Sequence, residues 1–141
     1  MIEAIKNKLI GLEEQIAREK GPFVLFALFL REDETSKWDV LAASDWLEQD
    51  KEAGIRYLAE NLQKALASEE LLSLSRIFVL SKGHPYLNLL LVSLGNQADA
   101  EVEQCTFGQF FVKRAYVIRL RCDPAWMPQE APEDAKQPSR A

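Results

Sequence analysis

Residues 23–30 read Phe-Val-Leu-Phe-Ala-Leu-Phe-Leu, eight consecutive apolar side chains without a polar interruption. A strand sends successive side chains to opposite faces, so an unbroken apolar run of this kind has to be covered on both faces. A membrane helix needs about 20 such residues, so the segment is far too short to span a bilayer. Gly21-Pro22 precede it and the polar run from Arg31 to Glu34 follows it, so the segment predicts a strand near the middle of a sheet. The rest of the chain must supply its neighbours and two covering layers. At 141 residues there is room for one such domain and little for a second.

Those layers are visible as periodicities. Ile2, Ile5, Leu9, Leu12 and Ile16 recur at steps of three and four, which predicts an amphipathic helix stopped by Gly21-Pro22. The loop over 32–37 leads to a second strand, Trp38–Ser44, and so short a connection favours an antiparallel hairpin over a parallel crossover. Asp50 caps a further helix with the stripe Ile55, Leu58, Ala59, Leu62 and Leu66, followed by a short turn from Ser68 and a third strand over Ser75–Ser81. Residues 85–94 suit either a strand or a helix. Pro85 at a first helical position and Gly95 past the end favour the helix. The last structured piece is two strands around Gly108-Gln109, a type II′ hairpin signal that sets Phe107 opposite Phe110, Cys105 opposite Val112 and Glu103 opposite Arg114. The expected fold is α+β: a single domain over residues 1–122, with an antiparallel or mixed five-stranded sheet, helices mainly on one face, and the order α-β-β-α-α-β-α-β-β. Residues 123–141 hold four of six prolines and few apolar residues, so they predict a tail disordered after about residue 128. Trp126 is its exception, either docked on the domain or offered to a partner.

Composition excludes more functions than it suggests. Apolar residues make up 48% of the chain, charged residues 28%, and the formal net charge is -5. A net acidic chain is a poor partner for nucleic acid, whose phosphates demand clustered cations. Cys105 and Cys122 lack the spacing of a zinc or redox motif, and a lone His84 excludes multi-histidine metal sites. No phosphate-binding glycine loop, dinucleotide fingerprint, zinc-protease helix or nucleophile elbow occurs in the chain. The amino terminus carries Glu3, Lys6 and Lys8 without an apolar core, which does not predict a secretory signal.

The candidate binding residues are Asp39, Lys113, Arg119 and Arg121. By the period of two, the three cations share one face of the final strand with Phe111, where they suit an anion, an acidic partner or a solvated edge. Arg114 falls on the other face with Tyr116 and Ile118, neutralised by Glu103. The acidic runs Glu32–Glu34 and Asp45, Glu48, Asp50, Glu52 lack the ligand alternation of a calcium loop, so they are expected to be solvated.

Two resemblances bear on these residues. A helix, a buried strand and an antiparallel strand carrying Asp39 resemble, over residues 5–66, the opening of the minimal nucleotidyltransferase fold. That family closes its first strand with Gly-Ser and holds metals on Asp-x-Asp; here the stretch is Ala-Leu-Phe-Leu-Arg-Glu-Asp-Glu-Thr-Ser-Lys-Trp-Asp-Val-Leu-Ala-Ala, with neither. The resemblance implies, at most, a degenerate nucleotide-binding protein or enzyme. Trp38-Asp39-Val40, Trp46-Leu47, Leu74–Ile77 and Ala115–Ile118 resemble the corresponding segments of a family of uncharacterised bacterial proteins of this size, over residues 1–121. That resemblance implies the fold and carries over no site. The expectation is therefore a cytoplasmic, non-catalytic interaction or regulatory module with no cofactor, no bound metal and no catalytic residues. Its partner is expected to be a protein or a second copy of the chain, met through an exposed strand or the tryptophans, and not a membrane.

Overall fold

The computed structural model describes residues 2–31, 37–107 and 110–127. Along them run α1 (Ile2–Lys20), β1 (Phe23–Arg31), β2 (Trp38–Ser44), α2 (Asp45–Gln49), α3 (Lys51–Ala65), α4 (Ser68–Leu71), β3 (Leu74–Val79), α5 (Pro85–Leu94), β4 (Gln97–Phe107) and β5 (Phe110–Leu120). This is the expected α+β order with one addition. Helix α2 is too short to show a helical period; it exists because Ser44 Oγ, at the end of β2, accepts from Leu47 N at 3.2 Å. Asp50 then caps α3, its Oδ1 accepting from Ala53 N, as the sequence predicts.

The sheet order is β3-β2-β1-β5-β4, with β1 at the centre. β1 pairs antiparallel with β2 and with β5, β4 pairs antiparallel with β5, and β2 pairs parallel with β3. Helices α2 to α4 supply the long crossover that a parallel neighbour needs, so the sheet is mixed. In the β4–β5 pair Glu103 sits opposite Arg114, Cys105 opposite Val112 and Phe107 opposite Phe110, the expected register. The predicted turn residues Gly108 and Gln109 lie outside the described residues, as do the Glu32–Glu34 run and the predicted disorder after residue 128.

Covering both faces of β1 produces two cores. Ile5, Leu9, Leu12 and Ile16 of α1 and Leu58 and Leu62 of α3 pack on Phe23, Phe26, Leu28, Val40, Tyr116 and Ile118. On the opposite face Leu87, Leu90 and Leu91 of α5, with Trp126, pack on Val24, Leu25, Ala27, Ala43, Val117 and Leu120. The helices thus lie mainly on one face, and α5 provides the other cover that an uninterrupted apolar strand requires. Trp126 is docked: it is 1% exposed and its Nε1 donates to Asp45 Oδ1 at 2.8 Å. Among the described residues no helix is long and apolar enough to cross a membrane.

One irregularity overturns an expectation. The β1–β5 register shifts between Phe26, opposite Arg119, and Ala27, opposite Val117, so β5 carries an extra residue there. A bulge of this kind inverts the alternation beyond it. Arg119 and Arg121 consequently fall on the α1 side of the sheet, with Tyr116 and Ile118, and not on the opposite face that an uninterrupted period of two predicts.

Candidate functional site

The residues singled out from the sequence do not converge. Asp39 sits on β2 opposite Phe29, between Trp38 and Val40, whose side chains enter the α1–α3 core. Its carboxylate therefore belongs to the other face, where it is 2% exposed and 3.8 Å from Nε of Arg76 on β3. The Arg76 guanidinium in turn lies 5.0 Å from the ring of Phe78. A buried carboxylate requires a counter-charge, and Arg76 supplies it from the neighbouring strand. Among the described residues no group of three or more His, Cys, Asp or Glu side chains could hold a metal ion.

Arg119 and Arg121 lie on the opposite face from Asp39, at the other end of β1. They line a cavity of about 380 Å³ with Glu13, Glu14, Ala17 and Arg18 of α1, and with Pro22 and Phe23. The Glu13 carboxylate is buried and accepts both Nε (3.3 Å) and Nη2 (3.5 Å) of Arg119. Arg121 donates from Nε to Phe23 O at 3.4 Å and pairs with Asp123 at 3.2 Å. Two of the guanidiniums lining the cavity are thus paired already, Arg119 with Glu13 and Arg121 with Asp123, which lowers the attraction it offers an added anion. The arrangement ties α1 and the segment after β5 onto the sheet. Lys113 lies further back on β5, between Val112, opposite Arg31, and Arg114, opposite Leu30.

Arg114 faces Glu103 in the register, but its Nη2 meets Glu101 Oε2 at 2.6 Å and also donates to the Tyr116 hydroxyl. Burial pushes the Tyr116 hydroxyl above its ordinary range, and the Arg114 charge opposes that shift. His84 is occupied as a helix cap, its Nδ1 accepting from Tyr86 N at 3.2 Å. Cys122 is half-buried, with Sγ 3.9 Å from Leu91 O. Neither forms a nucleophile–base pair in the described contacts. The tryptophans are also committed inward. Trp38 is 6% exposed and tilts against Tyr116 at 5.4 Å, while Trp46 meets Phe23 and Tyr57 edge-on.

Among the described residues one edge remains open, and the sequence alone did not single it out. β3 closes one side of the sheet and has the sequence Leu-Ser-Arg-Ile-Phe-Val, with Arg76 its single charge. Beside it runs an open groove of about 340 Å³ whose apolar walls are Ile55, Ala59 and Leu62 of α3 with Leu71, Leu74 and Ile77. Two exposed large apolar side chains, Leu72 and Phe78, flank that edge. The backbone direction of β3 is fixed by Leu80 N donating to Ala42 O at 2.9 Å. Strand alternation then turns the peptide groups of Phe78 toward β2 and those of Ile77 and Val79 away from the sheet. A register shift between Trp38/Leu74 and Val40/Ile77 puts the irregular part of β3 before Ile77. The sequence did carry a trace of the groove. The α3 stripe is wider than the strip that gets buried, and its surplus members Ile55 and Ala59 are the half-buried wall.

No family model, curated protein or solved structure matches the chain. Residue roles therefore rest on this geometry.

Proposed function

We propose that the protein is a non-catalytic, cytoplasmic interaction module that accepts an extended, apolar polypeptide strand along β3. The observation that carries the reading is an edge strand with outward-facing peptide groups at Ile77 and Val79, lying against an apolar groove. Strand addition of this kind draws affinity from main-chain hydrogen bonds and selectivity from pockets that take alternate side chains. The groove beside β3 supplies such pockets. The other edge, β4, contains Asp99, Glu101 and Glu103 at alternate positions, the type of charged edge that resists pairing. The enclosed chemistry supports the same reading: Asp39 is met by Arg76, His84 by the α5 backbone, and Arg119 by Glu13.

A displayed library of extended peptides tests the reading. Selected peptides are expected to alternate apolar and polar residues, to slow amide exchange at Ile77 and Val79, and to lose binding in Ala59→Glu. Peptides that instead protect α5 or the α1 cavity would count against it. A thermal-shift screen with nucleotides and divalent metals tests the catalytic alternative, because specific binding must raise native-state stability. No shift is expected, and a metal-dependent nucleotide shift abolished by Asp39→Asn overturns the non-catalytic reading.

A further inference from the structure

We infer that the strand taken up by β3 is β3 of a second copy of this chain, paired antiparallel about a two-fold axis that passes through Phe78. This rests on the strand-accepting reading above and names its partner.

The register follows from the direction of the peptide groups. In an antiparallel pair, residues opposite one another either both face the partner strand or both face away from it. Ile77 and Val79 face outward and Phe78 faces β2, so a two-fold can fall only on a residue of β3 and not between two of them. With the axis at Arg76, two guanidiniums meet across the narrow, non-hydrogen-bonded site, where like charges are unfavourable. With the axis at Ile77, Val79 must bond to Ser75, which lies in the irregular part of the strand. The axis at Phe78 avoids both faults. Ile77 of each copy then bonds with Val79 of the other, the two Phe78 rings meet across the narrow site, and Arg76 falls opposite Leu80.

Charge and exposure point the same way. Symmetric pairing of β4 through Glu101 would set Asp99 against Glu103 and Glu101 against itself, whereas β3 pairs with no like charges opposed. Phe78, 38% exposed, becomes covered, as aromatic pairs on strands favour. The β3 edges of the two copies satisfy one another in one continuous ten-stranded sheet, twice the five strands of one copy, with β4 at each end and both α3 helices on the same side. With the axis at Phe78 only residues 76–80 of each copy overlap, so the contact is about 16 Å long and about 20 Å deep for sheet plus helix, roughly 300 Å² a side. That is below the standard size of a specific interface, so the dimer is weak, reversible and dependent on concentration.

Sedimentation equilibrium of the full chain under reducing conditions, from about 10 μM to 1 mM, is expected to show the mass rising from 16.0 kDa toward twice that value. Phe78→Lys and Phe78→Glu each set like charges on the axis and are expected to weaken association at least roughly tenfold, while an equimolar mixture of the two restores it. Circular dichroism establishes that each variant is folded. Amide exchange of the unmodified chain gives an independent readout, with Ile77 and Val79 slowing as concentration rises. A further variant, Phe78→Cys with Cys105 and Cys122 changed to Ser, is expected to oxidise to a linked dimer, since the Cα atoms at that site are about 4.5 Å apart. A mass that stays at 16.0 kDa throughout, or lysine and glutamate variants that dimerise alone as well as the parent, overturns the inference. If the monomeric chain still captures displayed peptides on β3, the strand-accepting reading survives; if capture fails too, both fall.

Discussion

Removing the Trp126 ring asks whether the segment after β5 belongs to the cooperative core. The side chain is 1% exposed, packed among Leu87, Leu90 and Leu91, with Nε1 bonded to Asp45 and the Lys82 ammonium 5.2 Å from the ring. An indole buries about 200 Å², which at about 25 cal/mol per Å² gives an upper bound of about 5 kcal/mol, and core Trp→Ala changes cost about 3–5 kcal/mol. Release of the segment offsets part of this loss. Each freed residue regains about 1 kcal/mol of backbone entropy, so undocking a few of them limits the cost of Trp126→Ala to about 2–3 kcal/mol. Trp126→Phe keeps most of the apolar contact and loses one hydrogen bond to a carboxylate that is largely open to water, about 1 kcal/mol. Urea unfolding followed by far-ultraviolet circular dichroism reads both values from midpoint and slope. Two results refute the reasoning: a Trp126→Ala change within about 0.5 kcal/mol of the parent, or a Trp126→Phe cost equal to it, which assigns the docking to the hydrogen bond.

Gly54→Ala is expected to destabilise, although alanine is the better helix former by about 1 kcal/mol, because the added Cβ comes within 2.4 Å of Leu47 Cδ2 and overpacking costs about 1–3 kcal/mol. Thermal unfolding of the double variant with Leu47→Ala tests the contact: the two effects should fall short of additive, since the new methyl fills part of the void. The acid limb of stability should depend on two carboxylates held below their ordinary range, Glu70 by Lys8 and then the Ala67 N–H, and Glu19 by the Tyr57 hydroxyl and then Gln15. Because both are depressed in the folded state, their contribution is full above the unfolded value of about 4.3 and is lost as pH falls through the folded ones. Lys8→Met should flatten the Glu70 part of that decline in a pH series of unfolding midpoints, and an unchanged slope counts against the assignment.

Much of the fold was written in local signals. Phe23 to Leu30 announced a central strand, the spacing of Ile5, Leu9, Leu12 and Ile16 a covering helix, and Asp50 a cap, because period and capping depend on residues within a turn or two of one another. The single polar-free run also implied protein on both faces, which α1–α3 and α5 with Trp126 supply. The absence of the glycine-loop, zinc-helix and nucleophile-elbow motifs could likewise be read directly, since those need fixed spacings. Tertiary structure alone decided which residues distant in the chain meet. One extra residue in β5 moved Arg119 and Arg121 to the α1 side and gave Arg119 to Glu13, 106 positions earlier in the chain. Strand order made β3 an edge and set Ile55 and Ala59 beside it, so part of a stripe that reads as core became a groove wall. Strand order and bulges arise from pairing between distant segments, and a one-residue shift there inverts every side chain beyond it, which no local period can register.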